Sequence, residues 1–373
     1  MALSHRMSII LGGAGAGKTS IIRAIEECSG RKSVVLCAPT GKAARNLSQR
    51  TGSSASTVHS LLGINDSIGF LDAAPLMDAE MVIVDEASML TTGMLAGLLK
   101  ALPEYSSLVL LGDPNQLCSV GAGDVIRDLI QIGIPWIQLT ENHRQASTAQ
   151  ALNHNVCSFD KILTLEALRT DASFQFREDD VDTMIRLASQ LYYNGTSVQV
   201  LAATNADVRF LNSHIHAHVN QYTGNERCLR DGDRIFVNGD HVMVLRNDTQ
   251  HNVCNGDIGI LRVHPDYNIS VEMRDGRQPQ WACEESTAVL STLTHAYAIT
   301  IHKSQGGEYD TVILYAHGVF NRSLLYTAIS RARKRVIIFG DSQVIERALR
   351  YSAPTRKTSL TERFNESALI ARR

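Results

Sequence analysis

Residues 7–27 read MSIILGGAGAGKTSIIRAIEE, and three kinds of pattern follow one another in them. MSIIL (7–11) is a short apolar run of strand type, IIRAIEE (21–27) has helical spacing, and GGAGAGKTS (12–20) lies between. The order strand, glycine loop, helix is that of a phosphate cradle. The spacing G-x-x-x-x-G-K-[ST] is met by Gly12, Gly17, Lys18 and Thr19. Backbone N–H groups from Gly12, Gly13, Ala14, Gly15, Ala16, Gly17 and Ser20 can then surround a phosphate chain while Lys18 reaches its outer end. ATP is the expected ligand.

The rest of the chain fits a parallel sheet around that loop. SVVLC (33–37), MVIVD (81–85) and SLVLLG (107–112) alternate with helical patterns, and VQVLAA (198–203), TVILYA (311–316) and RVIIFG (335–340) form a second series. Two similar α/β sheets are predicted. Between about 226 and 291, HVMVLR, IGILRV and ISVEMR are separated by turn-rich segments such as NDTQHNVCNGD, which predicts a small β-barrel inserted in the second domain. RKTSLTERFNESALIARR, at the carboxyl end, reads as a solvated tail or helix.

Composition sets looser bounds. The chain has 373 residues, 44% of them apolar, so two or three domains are ordinary. No apolar run reaches the ~18 residues of a membrane span, and a cytoplasmic protein is expected. Seven scattered cysteines form no C-x-x-C pair, which indicates neither a disulfide framework nor a zinc ribbon. A formal charge of −2 removes the simplest argument for nucleic acid without excluding it, since a strand that is gripped and released needs only a few placed donors.

Several motifs carry chemistry. Asp85 and Glu86 end a core strand; beside a phosphate loop, Asp85 with Thr19 suits a Mg²⁺ holder and Glu86 a water activator, although an acidic helix start gives the same letters. GDPNQ delivers Gln116 at another strand end, where ligands sit in open α/β sheets; GDPN is also a good turn. HIHAH (214–218) would set His214 and His218 on one helix face, but no acidic third ligand lies near in sequence, so a polar helix face is expected.

Taken in order, CAPTGKAARNL, STVHSLLG, VDEASML, GDPNQLCSVGAGDV, LTENHRQ, AYAITIHKSQGGEYDTVIL and LLYTAISRARKRVIIFGD resemble the RecD-like helicases of superfamily 1B, from residue 8 to about 342. The resemblance implies two RecA-like parallel-sheet P-loop domains, at 1–146 and at 147–225 with 292–350, the small β-barrel at 226–291 and a tail at 351–373. It implies ATP and Mg²⁺ in a cleft, Arg144 and Arg331 on the γ-phosphate, and His143 and Glu308 beside the nucleoside. Single-stranded DNA would be held by Pro39, Thr40, Lys42, His59, Thr300, His302, Lys303 and Gln305, hydroxyl, amide, imidazole and amine groups suited to backbone phosphates.

The implied activity is an ATP-dependent DNA helicase moving 5′ to 3′ on single-stranded DNA and at duplex junctions, as a monomer, with repair or replication proteins as partners. The interval 63–78, INDSIGF at its centre, would supply a hairpin wedge with Phe70 near its edge. The resemblance also implies a glutamine upstream of the phosphate loop that reads the adenine edge; none precedes Lys18 here, which leaves open a chain that accepts several NTPs or a piece of a longer protein. A viral-type superfamily 1 RNA helicase and a nucleotide-gated DNA-binding subunit without processive unwinding remain as alternatives.

Overall fold

The computed structural model describes residues 1–30, 33–65, 68–76, 78–140, 170–223, 228–351, 356 and 358–364. The chain divides into two compact units, one of Met1–Ala146 with Ser352–Arg373, the other of Ser147–Tyr351.

The first unit is built from β1 (Met7–Gly12), α1 (Lys18–Cys28), β2 (Val34–Ala38), α2 (Gly41–Thr51), β3 (Ala55–Thr57), α3 (Val58–Leu61), β4 (Met81–Val84), α4 (Thr92–Ala101), β5 (Ser107–Gly112), α5 (Val125–Gln131) and β6 (Trp136–Leu139). Its six strands run parallel in the order β3-β2-β4-β5-β1-β6. A strand buried on both faces is apolar at nearly every position, and the side chains sort by parity. Ile9, Leu11, Val82, Val84, Leu108 and Leu110 enter one core, whereas Ile10, Met81, Ile83, Val109 and Leu111 enter the other.

The second unit continues with β7 (Phe174–Arg177), α6 (Val181–Tyr193), β8 (Val198–Ala202), α7 (Asn205–Thr223), β9 (Cys228–Asp231), β10 (Arg234–Val237), β11 (His241–Val244), β12 (Ile258–Val263), β13 (Ile269–Met273), β14 (Gln280–Trp281), α8 (Cys283–Ser291), β15 (Leu293–His295), β16 (Ala298–Thr300), β17 (Tyr309–Ala316), α9 (Arg322–Ser330), β18 (Ala332–Gly340) and α10 (Ser342–Arg350). Its main sheet is again all parallel, β16-β8-β17-β18-β7. Val198, Val200, Ile313 and Ile337 pack there against Met184, Ile185, Leu211 and Ile215 of α6 and α7.

The insertion is an open sheet instead of a closed barrel. Its strands pair antiparallel as β14-β13-β12-β11-β15, while β9 and β10 form a separate two-stranded ladder. Closure requires the edge strands to pair, and β14 is only two residues long. One face carries the core of Phe236, Val242, Leu261, Ile269, Val271 and Trp281, with Val289 and Leu290 of α8 packed into it.

Two further readings are corrected or refined. Described residues of the carboxyl-terminal segment touch the first unit while Arg356, Ser359 and 362–364 stay exposed. Arg356 donates to the carbonyls of Ser119 and Gly123 at 2.6 and 3.1 Å, the Thr358 hydroxyl reaches Asp128 at 2.7 Å, and Leu360 packs against the apolar core. Among the described residues of the proposed wedge interval, an antiparallel bridge joins Asn65 to Ile68. Phe70 follows in a short 3₁₀ turn (Phe70–Asp72), its ring 5.1 Å from that of His59 and packed over Gly93 of α4.

Candidate active site and nucleic-acid interface

The phosphate loop leaves β1 through a tight turn. A Cβ added to Gly12 would lie 3.1 Å from the Ala16 Cβ, so the residue must be small for the chain to double back. Gly15 and Gly17 have φ of 83° and 79°, the left-handed region that glycine enters without strain. Gly17 is the N-cap of α1 and brings no side-chain acceptor, and the first turn of α1 holds no acid. The first helical bond runs from Ile21 N–H to Gly17, so the N–H groups of Lys18, Thr19 and Ser20 have no helical partner. Such an end attracts an anion. The Lys18 ammonium folds back onto the carbonyls of Gly12 and Gly13, the latter at 3.0 Å.

The acids at the end of β4 face this loop electrostatically. Burial, with the Glu86 carboxylate beside it, pushes the Asp85 carboxyl up to about 6, while the Lys18 charge acts in the opposite direction. A divalent cation would further favour the charged form. Asp85 Oδ1 accepts the Glu86 N–H at 2.9 Å. Glu86 itself sits at φ 52°, a left-handed conformation unusual for a side chain that is not glycine and of the kind held in place at functional sites. Its Oε2 is buried with no hydrogen-bond partner among the described residues.

Gln116 repeats the theme from β5. It is 3% exposed, its amide nitrogen donates to Asp113 Oδ2 at 3.3 Å, and its Oε1 is buried and unpartnered among the described residues. Ser88 locks the two motifs together: its hydroxyl donates to the Asp113 carbonyl and accepts the Asp113 N–H, both at 2.8 Å. Sequence reading passed over Ser88. Its position in VDEASML, one turn past the acids, is the only signal. Two unpartnered buried oxygens, a buried acid whose ionised form a cation would favour and a bare helix end fit a magnesium-bound triphosphate, which Lys18, Thr19 and Asp85 would hold.

The predicted strand-binding residues fall into two groups. In the first unit, the Thr40 hydroxyl caps α2 by accepting the Ala43 N–H at 3.3 Å; Pro39 and Lys42 flank it, and His59 lies on α3. In the second unit, His302 and Lys303 are exposed on a 3₁₀ turn (His302–Ser304), whereas Thr300 and Gln305 are buried at 7% and 4% exposure. Thr300 Oγ1 accepts the Lys303 N–H at 3.2 Å, which makes it a shaping residue for that turn. A cleft of about 150 Å³, lined by Asn205, Arg209, Thr294, His295, Thr300 and Lys303, runs beside it. Asn205 and Arg209 were not foreseen, because nothing in NADVRF marks them apart from an ordinary helix start.

Arg331 is 4% exposed and serves its own unit: it donates to the carbonyls of Thr327 and Gly307 at 3.2 and 3.3 Å and to the Ser330 hydroxyl at 3.0 Å. It thereby ties the SRAR segment to the HKSQGG segment. The Glu308 carboxylate accepts from Arg333 at 3.0 Å. His143 and Arg144 lie outside the described residues.

Residues 1–177 match a family model described as an AAA domain, and residues 295–339 match that of a UvrD-like helicase C-terminal domain. The chain is 34% identical to the ATP-dependent RecD2 DNA helicase of Deinococcus radiodurans, over 96% of its own length and 50% of that protein's. It is also 29% identical to the RecBCD enzyme subunit RecD of Mycolicibacterium smegmatis, with 99% and 74% covered. The chain belongs with the RecD-like helicases of superfamily 1B. This RecD-like chain spans half the length of the Deinococcus relative. Its fold is similar to that of Bacteroides Pif1 helicase in complex with ADP-AlF3 and single-stranded DNA, with a TM-score of 0.58, 21% identity, and 99% and 94% of the two chains covered. No helix among the described residues is long and apolar enough to cross a membrane.

Proposed function

We propose that the chain is an ATP-dependent DNA helicase that moves 5′ to 3′ on single-stranded DNA and displaces the complementary strand. The observation that supports this most is the pair of buried, unpartnered oxygens, Glu86 Oε2 and Gln116 Oε1, beside an uncapped phosphate loop. Leaving polar atoms dry and unpaired costs about 1–3 kcal/mol each, which a ligand would remove. Magnesium ATP would be held by Lys18, Thr19 and Asp85, and Glu86 would polarise the attacking water. Gln116 would sense the terminal phosphate.

Arg331 and Arg144 are assigned to charge stabilisation on the γ-phosphate, His143 and Glu308 to the nucleoside. In such roles an arginine is worth roughly 10³–10⁵ in rate. Arg331 would have to exchange its bonds to Gly307 and Thr327 for the phosphate, so hydrolysis would be felt directly in the HKSQGG segment. Pro39, Thr40, Lys42 and His59 on the first unit, with Thr300, His302, Lys303 and Gln305 on the second, would hold one strand through its phosphates. The domain assignment is 1–146 and 147–225 with 292–350 for the motors, 226–291 for the insertion, and 63–78 for the wedge. DNA junctions, as a monomer or with repair proteins, are the proposed partners.

The deciding experiment is unwinding of forked DNA carrying only a 5′ or only a 3′ tail, with ATP. Displacement with the 5′ tail alone is expected. Displacement only from the 3′ tail overturns the direction, and nucleotide-dependent DNA binding with no displacement overturns the helicase reading.

A further inference from the structure

The HIHAH segment does not use the two histidines that its spacing sets together. His214 and His218 donate their Nδ1–H to carbonyls of their own helix, Phe210 and His214, at 2.8 and 2.9 Å. The middle residue turns inward. His216 Nε2 lies 3.2 Å from Asp240 Oδ2, and His295 Nε2 lies 3.2 Å from the same oxygen. The two imidazole centroids are 4.3 Å apart. Asp240 is 1% exposed and fixed from behind: the Val237 N–H donates to Oδ2 at 2.6 Å and the Tyr297 hydroxyl to Oδ1 at 2.8 Å.

As a set of hydrogen bonds alone, the cluster asks too much of two atoms. Oδ2 would accept from Val237 and from both rings, where a carboxylate oxygen offers about two lone-pair directions. The ring nitrogen of His216 has one in-plane direction, yet it faces Asp240 and, at 2.8 Å, the side-chain amide of Asn220. A cation between them removes both conflicts. Each ring nitrogen then points its lone pair at the ion, Oδ2 keeps one N–H and one metal bond, and Asn220 can present its amide oxygen, since the two ends of the amide interchange by a flip. Zinc bonds of about 2.0–2.1 Å at the tetrahedral angle set ligand atoms about 3.3 Å apart. The two N···O spacings here are both 3.2 Å.

We propose that His216, Asp240 and His295, with Asn220 as fourth donor, form a divalent metal site of the zinc type that fastens α7 to the inserted sheet. Its three main ligands come from the middle of α7, the turn before β11 and the end of β15. A clip between segments so far apart in sequence removes much freedom from the unfolded chain. It would also fix β15, whose Thr294 and His295 line the cleft beside Lys303. The site shares no residue with the proposed magnesium site.

Cobalt(II) is the probe, with zinc as competitor. Metal-stripped protein titrated with Co²⁺ is expected to bind one equivalent with the visible absorption of a tetrahedral ion, and Zn²⁺ should displace it and raise Tm by about 5 °C. H216A and H295Q should bind at least about 100-fold more weakly, while the H214A/H218A double variant binds as the wild type does. If a variant does not fold, carbethoxylation of wild-type histidines read by mass spectrometry serves instead, with Zn²⁺ shielding His216 and His295 but not His214. No stoichiometric binding, equal binding by H216A and H295Q, or equal modification with and without Zn²⁺ each overturns the site.

Discussion

The carboxyl ends of the two parallel sheets are built alike and finished differently. After β17 and β18 in the second unit, Asn321 caps α9 by accepting the Leu324 N–H at 2.9 Å, and Asp341 caps α10 by accepting the Gln343 N–H at 2.7 Å. After β8, the Thr204 hydroxyl accepts the Asp207 N–H at 3.1 Å. After β1 in the first unit, α1 starts at Gly17 with no side-chain cap, and the segments after β4 and β5 carry Glu86 and Gln116, each with a buried oxygen that has no partner among the described residues. Helix ends normally find side-chain partners because a lost cap costs about 1 kcal/mol. At α1 the bare end and these two oxygens fall on the phosphate-loop motif, which supports the proposed nucleotide site.

That contrast is broken most severely at Lys18. Lys18→Ala is expected to lower ATP hydrolysis by at least about 10²–10³-fold, the size of effect seen when a preorganised charge donor is removed, while thermal unfolding stays near the wild-type value. Loss of folding together with hydrolysis would return Lys18 to a structural role. Glu86→Gln should cost a similar factor in single-turnover hydrolysis yet keep nucleotide binding, measured with a fluorescent ATP analogue. Unimpaired turnover would remove Glu86 as water activator.

A smaller effect sharpens the strain argument. Glu86→Gly relaxes the left-handed backbone and should raise stability in denaturant by about 1 kcal/mol while hydrolysis is lost. A destabilised Glu86→Gly protein would mean that the side chain holds the fold. Smallest of all, Asn321→Ala should cost about 1 kcal/mol of stability, with hydrolysis per folded molecule unchanged.

How far the sequence could be read follows the range of the interactions concerned. The phosphate loop, its strand and its helix are contiguous, and continuous apolar runs such as SLVLLG announced strands buried on both faces. Gln116 could be picked out because it follows such a strand directly. Pairings across long stretches of chain could not. Nothing in HIHAH tells that His216 meets Asp240 and His295, since the helix face that turns inward is chosen by the packing of Leu211 and Ile215. The insertion has the turn density of a barrel, but closure depends on edge pairing, which β14 is too short to supply. Arg356 looked like a solvated charge because the carbonyls it binds, those of Ser119 and Gly123, lie more than two hundred residues earlier.

On the proposed function, the unpartnered polar groups of the first unit would await a nucleotide whose hydrolysis answers to a bound strand. Steady-state ATP hydrolysis by the purified chain, measured with and without single-stranded DNA, tests this most directly. The expected result is a rate that rises at least about tenfold with DNA and falls to background in Lys18→Ala. A rate that ignores DNA, or a chain that hydrolyses no ATP in its presence, would contradict it.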